Sequence, residues 1–222
     1  MVVKNAKGRE ILLAMVGAVH ENKQYLGDID GLIGDGDHGM NMNKGFVTYG
    51  ERLGDNETTF TDGLTELGMV LLNEIGGSMG PIYGTIFMEM ADAAEDAEDI
   101  TLSLFGDMLA AGLEGLYGIV DARPGDKTLV DTLNPCVECV KSAAEAGKDY
   151  AVALDEMQEC AEKGKESTKE MVAMYGRAAR LGERSRGVLD AGATSCCIIL
   201  KAMADGLLKS SISTYFLTVF QL

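Results

Sequence analysis

Basic residues are scarce in this chain, which has 19 lysines and arginines against 35 aspartates and glutamates in 222 residues. The formal net charge of −16 argues against a nucleic-acid backbone or an anionic membrane surface as a partner. Any anionic small molecule, such as a nucleotide, would need metal ions or a local basic pocket in order to bind.

Long apolar runs and a disulfide framework are also missing. No apolar run reaches the roughly 18 residues that span a bilayer, and residues 1–7 contain no apolar signal core. The 5 cysteines are an odd number, which is typical of reduced thiols. The Cys136-x-x-Cys139 spacing lies inside a helical stripe, where core packing is favoured over a zinc or redox site. These absences lead us to expect a cytoplasmic protein.

Only 3 prolines interrupt the chain, and alternating strand patterns are almost absent. Apolar residues recur instead at helical spacing, as Leu12, Met15, Val16 and Val19 do. No composition break divides the chain, so we predict one all-α domain over residues 1–222. The predicted helices cover residues 7–26, 39–52, 61–75, 81–96, 101–119, 127–147, 150–172 and 192–210.

Glycine and polar residues gather in the connections between these helices. The richest connections alternate along the chain, at residues 27–39, 76–80, 121–126 and 182–192. Because consecutive helices in a bundle usually run antiparallel, alternate connections share one end. We therefore expect the four connections to converge on a single site.

The first of these connections contains three closely spaced carboxylates. Asp30, Asp35 and Asp37 fall within eight positions and are followed at once by His38 and Asn41. Like charges this close repel one another unless a cation lies among them, and oxygen ligands suit a hard divalent ion. A simpler interpretation is a set of turns in which Asp37 caps the next helix. Three carboxylates favour a magnesium site over turns alone.

Two other known motifs do not fit this segment. Residues 34–39 match the dinucleotide-binding pattern G-x-G-x-x-G, but no strand precedes them and two carboxylates would repel a pyrophosphate. A calcium-binding EF-hand loop is excluded because the twelfth position from Asp35 is Phe46 instead of a glutamate.

The turn at residues 76–81 offers a possible phosphate cradle. Pro81 suits the first turn of a helix, so the glycines and Ser78 before it would present free backbone amides. A plain helix–helix turn explains the same residues equally well.

Two later turns carry capping and basic residues. Asp126 can cap the next helix, while Lys127 or Thr128 could face a ligand. In a chain this acidic, a cluster of three arginines stands out as a set of anion clamps or of surface partners for glutamates such as Glu183. The arginines are Arg177, Arg184 and Arg186.

Taken together and in this order, four stretches resemble the nucleotide (ADP)-binding subunit of dihydroxyacetone kinases, which is equivalent to the C-terminal domain of the single-chain ATP-dependent kinases. The stretches are IGDGDHGMNMNKGF, GGSMGPIYGT, PGDKTLVDTL and GRAARLGERSRGVLDAGATS. The resemblance spans residues 25 to about 200. It implies an antiparallel eight-helix barrel with ADP or ATP and two magnesium ions bound at one end.

The resemblance also implies roles for individual residues. Asp30, Asp35 and Asp37 look like the magnesium ligands, and together with Arg177 they look like the catalytic residues. The implied nucleotide contacts are His38, Gly39, Met40, Asn41, Ser78, Met79, Leu129, Arg177, Asp190, Ala191 and Gly192. The family often has proline at the position of Ala191 and methionine at that of Leu129, which affects the surroundings of the adenine or ribose.

The implied activity is phosphoryl transfer with the help of partners. A dihydroxyacetone-binding kinase subunit would hold the substrate, and a phosphohistidine donor protein of the phosphotransferase system would recharge the bound ADP. Two alternatives stay open, an ATP-exchanging subunit for a related ketose such as erythrulose and a non-catalytic nucleotide-binding regulatory partner. The sequence also leaves open a homodimer and the role of the apolar tail at residues 211–222.

Overall fold

The computed structural model describes the backbone of residues 2–219 and the side chains of residues 2–211. Eight α-helices dominate this part of the chain, which confirms the prediction of an all-α fold. The helices are α1 (Gly8–Ile33), α2 (His38–Leu53), α3 (Phe60–Glu74), α4 (Met79–Asp92), α5 (Leu102–Ile119), α6 (Val130–Glu145), α7 (Tyr150–Ser167) and α8 (Ala191–Val219). Short 3-10 turns lie at Asn5–Lys7, Thr168–Glu170 and Ala178–Ser185.

The eight helices form a closed ring. Each helix packs against the next along the chain, and α8 returns to pack against α1. Most connections are too short to cross the ring, so consecutive helices run in opposite directions. The connections α1–α2, α3–α4, α5–α6 and α7–α8 therefore lie at one end, called the site end below, and the others lie at the far end.

A large apolar core fills the ring from Val3 to Leu207, and a small second cluster joins Ile29, Leu189 and Ala191. The helical spacing seen in the sequence sets the inner faces, since Leu12, Met15 and Val19 of α1 are fully buried. Cys136 is buried as well, and its thiol donates to the Met157 carbonyl oxygen at 3.6 Å, so core packing is confirmed for it.

Five predicted helix ends are wrong by three or more residues. Helix α4 ends at Asp92 instead of residue 96, and α8 continues to Val219 instead of ending at residue 210. Helix α1 continues to Ile33, beyond the predicted end at residue 26, because Ile29 and Ile33 extend its buried face. Helix α6 begins at Val130, later than predicted, because the left-handed backbone of Lys127 (φ 60°) interrupts it. Helix α7 ends at Ser167 in a 3-10 turn.

At the far end, two strands of two residues tie the N-terminus to the α4–α5 connection. Strand β1 (Val3–Lys4) pairs antiparallel with β2 (Asp99–Ile100), with Val3 opposite Ile100. Beside them the buried side chain of Asn5 donates to Thr61 Oγ1 at 3.0 Å and to the Ala97 carbonyl at 2.8 Å. These contacts close the far end.

Helix α8 contains a long apolar stretch. Its residues Ala191–Ser211 satisfy the length and hydropathy of a membrane span, yet 72% of that window is buried inside the protein. A core helix passes the same test, and here α1, α6 and α7 cover it. The side chains of the apolar tail beyond Ser211 lie outside the described residues, so its role stays a prediction.

Candidate functional site

A cavity of about 640 Å³ opens at the site end. All four connections of that end contribute to its wall, as the alternation of glycine-rich turns predicted. The volume lies within the roughly 300–1,000 Å³ typical of small-molecule sites. The lining residues from the sequence analysis are Asp30, Asp35, Asp37, His38, Asn41, Gly76, Gly77, Ser78, Met79, Lys127, Thr128, Leu129, Arg177, Asp190, Ala191 and Gly192.

The three carboxylates meet on one side of this cavity. Oxygen atoms of Asp30, Asp35 and Asp37 all lie within 4.8 Å of one another. Asp30 belongs to the last turn of α1, whereas Asp35 and Asp37 lie on the α1–α2 connection and are about half exposed. Among the described residues, this is the only group of three or more acidic, His or Cys side chains brought so close.

The donor set fits magnesium. Mg²⁺ prefers carboxylate and water oxygens at about 2.1 Å, which places two oxygens on one ion at most about 4.2 Å apart. The observed spacing needs only a small contraction around one ion. Partial exposure of Asp35 and Asp37 leaves access for the water ligands that Mg²⁺ usually keeps.

Two glycines allow the chain to fold tightly at this corner. Gly36 has φ 76°, a left-handed conformation that side chains disfavour. Gly39 packs against α1 so closely that a Cβ atom would lie 1.8 Å from the Lys23 carbonyl oxygen. The glycines therefore fix how α2 begins and where Asp37 stands.

Arg177 supplies positive charge to the carboxylate cluster. Its guanidinium pairs with the Asp35 carboxylate and lies 3.8 Å from Asp37 Oδ2. Of the other two arginines, Arg184 is exposed, and Arg186 pairs with Glu183 at 3.0 Å. The surface-pair interpretation thus holds for Arg186, while Arg177 faces the cavity.

His38 lies below the cavity surface and is only 7% exposed. Its Nε2 is 2.9 Å from Ser195 Oγ, and that oxygen is 2.6 Å from the Tyr83 hydroxyl. Burial lowers the pKa of His38 to about 4, although the Asp30 charge opposes this shift, so the ring is neutral at pH 7. This hydrogen-bonded group joins the first turns of α2, α4 and α8.

Helices α2 and α4 point uncapped N-termini at the cavity. Asp37 and Ser78 occupy the N-cap positions, but neither side chain makes a capping hydrogen bond. The interpretation of Asp37 as a helix cap is therefore not supported. The first amide of α2 donates to Asp30 Oδ2 at 3.4 Å. The remaining free amides at a helix N-terminus attract anions, so both ends are suited to a phosphate.

The α5–α6 connection forms another wall. The predicted cap Asp126 is wrong: its carboxylate accepts from the Arg123 amide at 2.8 Å, before the helix. Asp131, inside α6, instead accepts from the Thr128 amide at 2.8 Å. Lys127 is buried, which lowers its pKa, while Asp190 opposes the shift.

Asp190 closes the wall at the start of α8. Its Oδ2 accepts from the Ala193 amide at 2.7 Å. Burial raises the pKa of Asp190 to about 6, and the amide hydrogen bond and the Lys127 charge oppose the shift. Gly192 lies between this carboxylate and Leu129, where a Cβ atom would be 3.0 Å from Asp190 Oδ2.

Two residues with implied nucleotide contacts do not line the cavity. Gly39 is packed against α1, and the Met40 side chain is 59% exposed outside the cavity. Their contacts stay a prediction. The sequence analysis missed several apolar wall residues, because each looks like ordinary core or loop in the sequence. They are Ile33, Ile82, Tyr83, Val120, Ala122 and Tyr175.

Comparisons with known proteins show the family to which this chain belongs. Residues 32–205 match the model of the DAK2 domain, and the chain belongs to this family. It is 39% identical over 184 residues to the PEP-dependent dihydroxyacetone kinase, ADP-binding subunit DhaL, of Escherichia coli K12, covering 82% of this chain and 87% of the relative. An L-erythrulose kinase of Pectobacterium atrosepticum is 30% identical over 93% of this chain and 34% of that protein.

Solved structures share the fold. The dihydroxyacetone kinase from C. freundii in complex with AMP-PNP and Mg²⁺ superimposes with a TM-score of 0.67 at 21% identity. The match covers 92% of this chain and 34% of that one. At this identity the likeness concerns the fold alone.

Proposed function

We propose that this DAK2-family chain is the nucleotide-binding, phosphoryl-transferring subunit of a dihydroxyacetone kinase, active with partner subunits. The observation that carries the proposal is the carboxylate cluster at the start of α2, which lines one cavity together with the uncapped N-terminus of α4. The ADP-binding DhaL subunits that it resembles over most of its length support the same activity.

The carboxylates hold the metal in this proposal. Asp30, Asp35 and Asp37 would bind two Mg²⁺ ions, whose chemistry is to neutralise the nucleotide phosphates during transfer. Arg177, which pairs with Asp35 in the structure, is then free to contact the phosphates. The amides at the starts of α2 and α4 bind phosphate oxygens.

The apolar wall binds the nucleoside. Met79, Ile82, Val120 and Leu129 offer an apolar surface suited to adenine. His38 is neutral and hydrogen-bonded to Ser195. A histidine held in this way is suited to a fixed contact with the ligand and is not suited to carry a phosphate. We therefore propose that a partner subunit binds the acceptor ketose.

The proposal also specifies the source of the phosphoryl group. We favour ADP as a resident coenzyme, recharged in the cytoplasm by a phosphohistidine protein, because the relatives include PEP-dependent and PTS-dependent subunits. A second candidate is an ATP-exchanging subunit for erythrulose, favoured by the erythrulose kinase relatives. This chain spans about a third of the length of those relatives.

Native mass spectrometry of the purified protein tests the proposal. We expect one ADP and two magnesium ions per chain, surviving gel filtration. Rapid exchange of added ADP would favour the ATP-exchanging candidate. Failure to bind magnesium and ADP together, by calorimetry on the folded protein, would overturn both. Reconstitution with the partner subunits then decides between dihydroxyacetone and erythrulose as acceptor.

A further inference from the structure

The segment that carries Arg177 is the longest irregular stretch among the described residues. This arginine loop, residues 168–190, connects α7 to α8 through two 3-10 turns. It brings Tyr175, Gly176 and Arg177 to the cavity. A loop this long needs ties at its base in order to hold one arginine in place.

The two ends of the arginine loop meet. The Gly187 amide donates to the Lys169 carbonyl oxygen at 2.7 Å. The Asp190 amide donates to Thr168 Oγ1 at 3.0 Å. The loop therefore has a closed base, with Arg177 far from that base along the chain.

Lys127 joins both ends from the neighbouring α5–α6 connection. Its Nζ donates to the Thr168 carbonyl oxygen at 2.6 Å and to the Val188 carbonyl oxygen at 2.5 Å. The residue is only 1% exposed, although it carries a charge. Its backbone adopts φ 60°, which is rare for a residue other than glycine. A buried lysine in a strained conformation persists only where its surroundings hold it.

We propose that Lys127 is a positioning residue that clamps the base of the arginine loop and thereby places Arg177 beside Asp35 and Asp37. Lys127 belongs to the cavity wall, but its buried ammonium is bonded to the two loop carbonyls, and we therefore infer that it acts through the loop. The expected effect of Lys127 on nucleotide binding rests on the proposed function, whereas its effect on the base of the arginine loop does not.

Limited trypsin digestion tests the clamp. The arginine loop offers cleavage sites at Arg177, Arg180, Arg184 and Arg186. Lys127→Met removes the clamp, so we expect cleavage at these arginines to accelerate about ten-fold, well below the unfolding temperature. The matched control is Lys169→Met, at the same loop base, because Lys169 pairs at the surface with Glu166. Equal cleavage rates in the two variants overturn the proposal.

A double-mutant cycle with Arg177→Met tests the link to the site. Calorimetry with Mg²⁺ and ADP should show about ten-fold weaker binding for Lys127→Met. If Lys127 acts through Arg177, the double variant binds no more weakly than Arg177→Met alone. Effects that multiply overturn the link. If the wild-type protein binds no ADP, the proposed function fails, and the trypsin comparison still judges the clamp.

Hydrogen exchange on the wild-type protein covers the case in which Lys127→Met does not fold. The amides of Gly187 and Asp190 should exchange as slowly as those inside α8, because both are bonded at a closed base. Exchange at the rate of exposed loop amides overturns the clamp.

Discussion

The two ends of the helical ring start their helices differently. At the far end, α3, α5 and α7 each begin with a side-chain cap, formed by Thr59, Thr101 and Asp149. At the site end, the N-cap residues of α2, α4 and α6 make no side-chain capping bond, whereas Asp190 caps α8. The first amide of α6 donates instead to Thr128 Oγ1 at 3.2 Å, and that of α2 to Asp30 Oδ2 at 3.4 Å. Helix α1, which follows a 3-10 turn at the far end, also has no side-chain cap.

The capped helix starts stabilise the far end, whereas the uncapped helix starts at the site end are available to bind a ligand. A cap satisfies amides that folding would otherwise leave unpaired, so the far end is complete without a ligand. Asp37 occupies a capping position but leaves its helix uncapped. Its carboxylate joins Asp30 and Asp35 instead, where like charges repel one another. The site end thus gives up local stabilisation to present amides and carboxylates to a ligand.

Removing a carboxylate at the site end should have the largest effect. Asp35→Asn and Asp37→Asn each remove a charged metal ligand and should weaken magnesium-dependent ADP binding by about 100-fold or more. The fold should persist, because both side chains are about half exposed. Calorimetry and circular dichroism measure the two effects.

The matched control for these variants is Asp107→Asn. Asp107 is an exposed aspartate that pairs with Lys141 at 3.5 Å on the outer surface. Its substitution should leave ADP binding unchanged. Wild-type affinity in both Asp35→Asn and Asp37→Asn would contradict the metal assignment.

At the far end, Asn5→Ala should cost stability without affecting the ligand. Asn5 donates two hydrogen bonds and accepts a third from the Thr61 amide at 3.1 Å, all in a buried setting. Leaving these partners unpaired should lower the free energy of unfolding by about 2–3 kcal/mol. Urea unfolding measures this change. A changed ADP affinity would mean that the two ends are coupled.

Asp190, which caps α8 at the site end, should respond to pH. Its folded pKa of about 6 exceeds the ordinary value for aspartate, so the folded state holds the proton more tightly. Its contribution to stability is therefore full below about pH 4 and is lost as the pH rises through about 6. The Lys127 charge lowers this pKa and that of Asp131 raises it.

The comparison of wild type with Asp190→Asn isolates this effect. His38, with its lowered pKa, gains stability over the same pH range, but it contributes equally to both proteins. Relative to the variant, the wild type should lose up to about 3 kcal/mol between pH 4 and 7 in urea unfolding. Parallel pH profiles would contradict the raised pKa.

A pair of single substitutions should give the smallest effects. Thr101→Ala removes a far-end cap, in which Thr101 Oγ1 accepts from the Leu104 amide at 3.2 Å, and should cost about 1 kcal/mol of stability. Ser78→Ala at the site end removes no cap and should change stability by less than about 0.5 kcal/mol. Only Ser78→Ala should weaken ADP binding. Weaker ADP binding in Thr101→Ala, together with a loss of stability in Ser78→Ala, would contradict the distinction between the two ends.

Much of the site could be predicted from the sequence because its chemistry is local. Asp30, Asp35 and Asp37 are close in the chain, so their repulsion and their need for a cation are visible without a fold. The cap assignment of Asp126 failed because the left-handed Lys127 moves the helix start beyond its reach. The predicted end of α1 is also wrong, because Gly27 and Gly31 look like part of a connection in the sequence. In the structure they belong to the helix and pack closely against Gly36.

The sequence by itself determined the helices, their buried faces and the carboxylate cluster of Asp30, Asp35 and Asp37, because periodicity and charge crowding act between neighbours in the chain. Only the tertiary structure decided which wall residues surround the cavity, that Ser195 and Tyr83 hold His38, and that Lys127 joins both ends of the arginine loop. Those contacts join residues far apart in the chain, and their partners become defined only when the ring of helices closes.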